Sequence, residues 1–393
     1  MELKQMDLWL YKALYLIEAG IIVTQVMNMD SLTSLLFLLT FPITVVLWLR
    51  SVRRTVASTD VIMGFTAALA VICVFINVSL SGGGLGFQYL KKLIMFIMTL
   101  LLLQTAHRTR PGKDLAYFIN RVVDLVTLFL IAMFLTQGSK MFVINGRVTT
   151  YLSFRFSNAN MNGLLLSCLF MTKVNSLFEQ GKWYVKAYHL ILALFLAWFV
   201  LLTRSRNCAI AVVLFSVISV WLMFSKKKEL TVKKLWAVVV AVFPGVFVLV
   251  YSALVTNPWV QDTFSFLVTE GKKLSSRMAV WGPALENLRK SPIVGAYHQI
   301  SNGTGKSQMH NNHLDIAASY GIPVLILVCV LLTCYMHHRG RSYKQKSSYI
   351  YMLAFCCAIL LGIGEAAVFA GGMGIYIFVG TFLLLANMED EEQ

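Results

Sequence analysis

Apolar runs of about twenty residues recur along the whole chain, separated by short polar or basic segments. A bilayer core of about 30 Å takes roughly 20 apolar residues as a helix. By that measure the pattern predicts about twelve spans, centred near residues 17, 40, 70, 97, 126, 170, 195, 216, 246, 330, 357 and 378. The expected fold class is therefore an all-α integral membrane protein with about 12 transmembrane helices. Residues 1–393 read as a single polytopic membrane domain, with no internal repeat or low-complexity linker. The first run, from about Leu8 to Met27, carries Lys12 and Glu18 and lacks a small-residue cleavage site. It is expected to be a first transmembrane helix and not a cleaved signal peptide.

The polar segments between the runs alternate in character. Arg50 to Arg54, His107 to Lys113, Lys182 to Lys186, Lys226 to Lys234 and Arg339 to Lys346 are basic, and all fall on one predicted face. The positive-inside rule makes that face cytoplasmic. Both termini then lie on it, including the acidic tail Glu389-Asp390-Glu391-Glu392. The opposite face carries tight turns such as Ser81-Gly82-Gly83-Gly84, with two exceptions. One is a smaller extracytoplasmic loop, 137–160, and the other a large extracytoplasmic loop, 257–320, expected to carry short amphipathic helices. Long translocated loops escape the charge rule, so their basic residues need another explanation.

Composition narrows the class without changing this picture. The 393 residues are 58% hydrophobic and 13% charged, and the mean hydropathy is +0.71, values outside the range of soluble domains. A net charge of +16 would suit nucleic acid, but the cations sit in short loops between apolar runs, so no nucleic-acid partner is expected. The seven cysteines show neither metal-ligand spacing nor a disulfide framework, and all but Cys208 lie in apolar runs. No Walker loop, paired-Asp motif or His-x-x-x-His is present, so neither a metal site nor a nucleotide is expected.

Candidate chemistry concentrates in the non-cytoplasmic segments. His310 stands in a polar stretch between apolar segments, where an imidazole can exchange a proton near neutral pH. Asn311 and Asn312 are good N-caps for a short helix running to Ser319, Gly321 would end it, and Pro323 suits the first turn of the next span. His310 would then sit at the positive end of a helix dipole, with His313 one turn on. Upstream, Met278, Trp281, Leu285 and Leu288 recur at helical spacing, which predicts an amphipathic helix that Pro283 would kink or restart. Arg277 lies just off its apolar stripe. Thr203-Arg204-Ser205-Arg206-Asn207 forms a turn on the same predicted face, and Arg155 to Gly163 is rich in asparagine, Asn160 included. Each alone has a plain explanation: a solvated histidine, a snorkelling arginine, a hairpin tip gripping lipid headgroups. Guanidinium forks match phosphate oxygens in pairs, so three separate arginine sites on one face point to a pyrophosphate.

Charges within or near the spans add a weaker signal. Arg121 and Asp124, three residues apart, are expected to pair, and Lys173 to snorkel; Lys91, Lys92 and Glu18 also lie in or near spans. Glu365 would face a substrate cavity or serve as the proton site of a transporter.

Together, and in this order, these pieces resemble the O-antigen ligase and O-antigen polymerase superfamily of bacterial membrane glycosyltransferases. Arg155 to Gly163 looks like its arginine-then-asparagine element, Thr203 to Arg206 its Ser-Arg turn, and Arg277 with Trp281 its Arg-x-x-x-Trp helix. His310-Asn311, nine residues and then Gly321 match its His-Asn-x9-Gly signature. Ala159 stands where proline is common, Val324 where a second glycine often follows, and Pro283 interrupts the loop helix.

The resemblance implies transfer of a glycan from an undecaprenyl-pyrophosphate carrier to a sugar hydroxyl, at the outer face of the plasma membrane, without a metal or other cofactor. In that reading His310 is the catalytic base, and Arg206, Arg277 and Arg204 bind the pyrophosphate. Arg155, Asn160, Asn311, His313 and Trp281 line the substrate site. The implied partners are a carrier-linked oligosaccharide and membrane lipid, with a chain-length regulator and a flippase as candidates. A polymerase joining repeat units for O-antigen, capsule or exopolysaccharide is favoured. A ligase attaching finished glycan to lipid or protein is the alternative. A flippase or secondary transporter is the rival from another class, though polar residues here gather in loops and not at the midplane where transporters bind.

Overall fold

A computed structural model describes residues 5–27, 29–52, 56–82, 87–137, 139–144, 147–152, 159–179, 181–226, 230–257, 259, 278–297, 309–337, 342–343, 345–364, 368–369 and 375–388. These residues are overwhelmingly helical. The first five helices are α1 (Gln5–Val26), α2 (Asp30–Val52), α3 (Ser58–Leu80), α4 (Phe87–Arg108) and α5 (Lys113–Gln137). Then come α6 (Ala159–Ser176), α7 (Trp183–Leu202), α8 (Arg206–Phe224) and α9 (Lys234–Thr256). The last five are α10 (Met278–Lys290), α11 (Asn312–Tyr320), α12 (Ile322–His337), α13 (Lys346–Leu361) and α14 (Ile375–Leu385). A helix stands at each of the twelve predicted centres. Among the described residues, seven helices are long and apolar enough to cross a membrane by length and composition, namely α2, α3, α4, α5, α7, α8 and α9. Three more apolar helices, α12, α13 and α14, are shorter.

α6 is buried from Asn162 to Ser176 and packs against α7, α8 and α13. α4 packs against α2, α3 and α14, and a Cβ on Gly380 of α14 would come within 2.9 Å of Leu102 on α4. Apolar burial drives little association in lipid, so close backbone approach at small residues supplies contact. Several buried hydroxyls within the helices are satisfied by their own backbone. Thr44 donates to the Thr40 carbonyl (2.8 Å), Thr99 to Met95 (2.9 Å) and Ser167 to Gly163 (2.7 Å).

The expected Arg121–Asp124 pair does not form. Asp124 pairs with Lys173, which reaches across from α6 and is fully buried, so it does not snorkel. The Arg121 guanidinium lies 4.9 Å from the centre of the Tyr117 ring on its own helix. An inter-helix partner for Asp124 also shields a lysine that would otherwise be buried alone, which outweighs a local pair.

The smaller loop holds an antiparallel hairpin that hydropathy did not foresee: β1 (Ser139–Ile144) and β2 (Arg147–Leu152), with Ile144 paired to Arg147. Two short strands, β3 (Leu230–Thr231) and β4 (Ser342–Tyr343), pair at the other end of the bundle. Nearby, the Lys346 ammonium donates to the Ser225 carbonyl (2.8 Å), and His337 meets the Val232 carbonyl (3.2 Å). Arg108 pairs with Asp60 and donates to the Ser51 carbonyl (3.1 Å). Segments around 51 and 108 are thus linked, as are those around 225 and 232 with 337 and 346, and the His107 ring, 4.8 Å from that of Tyr335, brings the two groups together.

Candidate functional site

The site grows from the short helix α11 and what anchors it. Asn311 is its N-cap, and its side-chain oxygen accepts from the amides of His313 and Leu314, both at 2.9 Å. Its side-chain NH2 donates to the carbonyls of Pro244 (3.1 Å) and Ile363 (3.2 Å). Pro244 lies inside α9, where it removes one backbone hydrogen bond and loosens the ladder around it. The nearby Ala241 carbonyl takes the His313 Nε2 at 2.6 Å. His313 is thus buried, and burial pushes its pKa down to about 4. It anchors the helix to α9 and packs on Gly245.

His310 precedes the N-cap. Its backbone is left-handed, with φ 52°, and its side chain is half-buried. Met309, immediately before it, is held on both sides. Its amide donates to the Asp315 carboxylate (3.1 Å), and its carbonyl accepts from the Trp281 indole (2.7 Å). Trp281 is buried, edge-on to Tyr251 of α9 with ring centres 5.5 Å apart. The expected amphipathic helix is α10. It runs through Pro283 without a break and buries Val280, Trp281, Ala284 and Leu288.

Gly321 closes α11 for a reason that leaves no alternative residue. Its φ is 90°, and a Cβ there would come within 1.9 Å of the Ile293 carbonyl oxygen. The turn after α10 is stitched to α11 and α12 by Ala296 N–H to the Ala318 carbonyl (3.0 Å) and Ile322 N–H to the Pro292 carbonyl (2.8 Å). From α3, the Asn77 side chain donates to the Val294 carbonyl at 2.8 Å.

Arg204 and Arg206 stand at the turn between α7 and α8, both exposed. Arg204 is left-handed too, with φ 56°. Among the described residues, it and His310 are the two non-glycine residues with positive φ, and both were singled out by sequence. Asn160 lies in the first turn of α6, its carbonyl 4.0 Å from the Cys208 sulfur. Close behind, a Cβ on Gly163 would reach Ser205 (2.9 Å) and Thr203 (3.0 Å), so α6 and the arginine turn are in tight contact.

A turn unremarked in the sequence joins the two motifs. The Gly362 carbonyl accepts the Asn312 amide at 2.9 Å, and Ile363 receives Asn311 as above. A Cβ on Gly364 would fall 1.8 Å from the Asn207 side-chain nitrogen, beside Arg206. Residues 362–364, at the end of α13, thus touch the neighbour of Arg206 on one side and the neighbour of His310 on the other. The Gly-x-Gly spacing after an apolar run was the available signal. The structure brings together the segments of Asn160, Arg204, Arg206, His310 and Asn311, and sets His313 and Trp281 behind them as supports. Arg155, Arg277 and Glu365 lie outside the described residues.

Residues 191–329 match the family model described as O-Antigen ligase. The matched stretch runs from α7 into α12 and contains the arginine turn, α10, His310 and Gly321. No curated protein matches the chain. The match covers about a third of the chain, and over that stretch it agrees with the resemblance to the O-antigen ligase and polymerase superfamily read from the sequence.

Proposed function

We propose that this protein is a polysaccharide polymerase of the bacterial plasma membrane. It transfers a glycan from undecaprenyl pyrophosphate to a sugar hydroxyl of another lipid-linked repeat unit, at the extracytoplasmic face. About twelve spans and cytoplasmic termini would put the arginine turn, α10 and α11 on that face. The reaction needs a proton acceptor for the attacking hydroxyl and cations for the leaving group. As the acceptor oxygen bonds to the anomeric carbon, the bond from that carbon to the pyrophosphate oxygen breaks. The hydroxyl proton goes to the His310 imidazole and then to water. Arg206, Arg204 and Arg277 balance the charge gathering on the departing pyrophosphate. Arg155 and Asn160 hold a sugar or phosphate, while Asn311, His313 and Trp281 fix the loop that presents His310. The bond to the carrier supplies the driving force, with no metal or nucleotide in the step.

The observation that carries this reading is the convergence on residues 362–364, which ties the arginine turn to the His310 loop across more than a hundred residues of chain. The test is lengthening of carrier-linked repeat units by the purified protein in detergent, without a gradient. Absence of longer products under conditions where the protein is folded would overturn the assignment. In cells, loss of a polymerase leaves single repeat units on carrier or surface. Long polymer left unattached would instead identify a ligase. Arg277→Lys is expected to impair lengthening despite its retained charge, since the guanidinium fork is lost; normal turnover would remove Arg277 from the pyrophosphate site.

A further inference from the structure

We propose that Asp315 and Lys92 are positioning residues for His310, their buried ion pair holding the peptide that presents the imidazole. The inference rests on the reading of His310 as the proton acceptor. Lys92 reaches from α4 to Asp315 in the first turn of α11, Nζ to Oδ1 at 2.9 Å, with side chains 9% and 4% exposed. The same Oδ1 accepts the Met309 amide at 3.1 Å. One carboxylate oxygen therefore joins a cation of a different helix to the residue just before the left-handed His310.

Lys92 is itself fixed. Its ammonium lies 5.0 Å from the centre of the Tyr297 ring, and Tyr297 stacks on Tyr89 at 4.1 Å with the rings 3° from parallel. The Tyr89 hydroxyl donates to the Ser319 carbonyl at 2.7 Å, on the last turn of α11. The pair is thus braced at both ends of the short helix.

Stability alone is a poor explanation for this arrangement. A buried ion pair is often no better than apolar residues of equal volume. What apolar residues could not do is accept the Met309 amide. A left-handed non-glycine residue persists only where its surroundings over-determine it. Here Met309 is tied at N–H and C=O, and Asn311 is tied by both ends of its side chain. Asp315, within α11, supplies the tie on the Met309 N–H, and Lys92 holds its carboxylate in place.

The experiment compares wild type, the apolar pair Lys92→Met/Asp315→Leu, Asp315→Glu and the exchanged pair Lys92→Asp/Asp315→Lys, each purified in detergent with carrier-linked repeat unit. The apolar pair, which has no acceptor for the Met309 amide and leaves no charge buried alone, should lower kcat by about 10-fold or more with KM within about twofold, because misplacement of a reacting group falls on the chemical step. Asp315→Glu, which keeps an acceptor, should lose less. The exchanged pair should keep the melting temperature but not kcat, since a lysine at 315 cannot accept the Met309 amide. Wild-type kcat in the exchanged pair or in the apolar pair overturns the proposal. Carbethoxylation of His310 by diethyl pyrocarbonate, read by peptide mass, is independent of transfer. Its rate should rise severalfold in the apolar pair as the ring is released, and an unchanged rate also overturns the proposal. A raised rate in a protein whose wild type lengthens no glycan retains the positioning role and retires the polymerase reading.

Discussion

A histidine with φ 52° sits in a region that costs an L-residue about 1–2 kcal/mol, and the hydrogen bonds on either side of His310 are what keep it there. They leave the imidazole at the end of a fixed backbone. His310→Ala is therefore expected to keep the fold and lower turnover by about 10²–10⁴-fold, the usual worth of a general base. Wild-type polymer lengths in that variant would remove the assignment. His313, three residues on, behaves oppositely. Buried against the Ala241 carbonyl with its pKa pushed down to about 4, it is neutral in the folded protein well below the ordinary histidine value. The unfolded chain binds a proton there near pH 6.5, so stability falls as pH drops from about 6.5 towards 4, by roughly 3 kcal/mol in all. Melting in detergent should show that decline, and His313→Gln should flatten it. An unchanged acid slope in the variant would mean that another group sets it. Its effect on turnover at pH 7 should be smaller than that of His310→Ala.

At the scale of elements, helix positions were legible because hydropathy alone sets them in a membrane. Likewise α11, its asparagine cap and its glycine stop follow from local chemistry at Asn311 and Gly321. The β1–β2 hairpin carried a signal too, Asn145-Gly146 between β-branched and aromatic residues, which a search for apolar runs passes over. Partner choice was another matter. Nothing local tells Asp124 to take Lys173 over Arg121, or Asp315 to take Lys92, because those pairs depend on which helices adjoin. Nor does sequence reveal that residues 362–364 join two distant motifs. That junction makes a specific demand: a methyl group at Gly364 would have to push the Asn207 amide aside. Gly364→Ala should destabilise the protein by about 1 kcal/mol, the low end of overpacking, because the exposed Asn207 side chain can turn away. Asn207→Ala should restore much of the loss in the double variant. A double variant as unstable as the single one would separate the two segments.

The whole molecule has two chemically distinct ends. At one, Asp60 with Arg108, the β3–β4 ladder and Lys346 on Ser225 draw basic connecting segments together. At the other meet the start of α6, the turn before α8, the end of α13, and α10 with α11. Between them the outward surfaces of α7, α8 and α9 are apolar, with Trp198, Val213 and Leu249 each at least half exposed, as a lipid-facing wall requires. With the basic connections facing the cytoplasm, as proposed, anionic carrier headgroups on the outer leaflet would meet the arginine end. Orientation can be read with single cysteines in a background lacking the seven native ones. Lys290→Cys, exposed on α10, should react with a membrane-impermeant maleimide in intact cells. Lys182→Cys, exposed before α7 at the basic end, should react only after permeabilisation. The reverse pattern would turn the chain over and place His310 in the cytoplasm, where a carrier already flipped to the outer leaflet is out of reach.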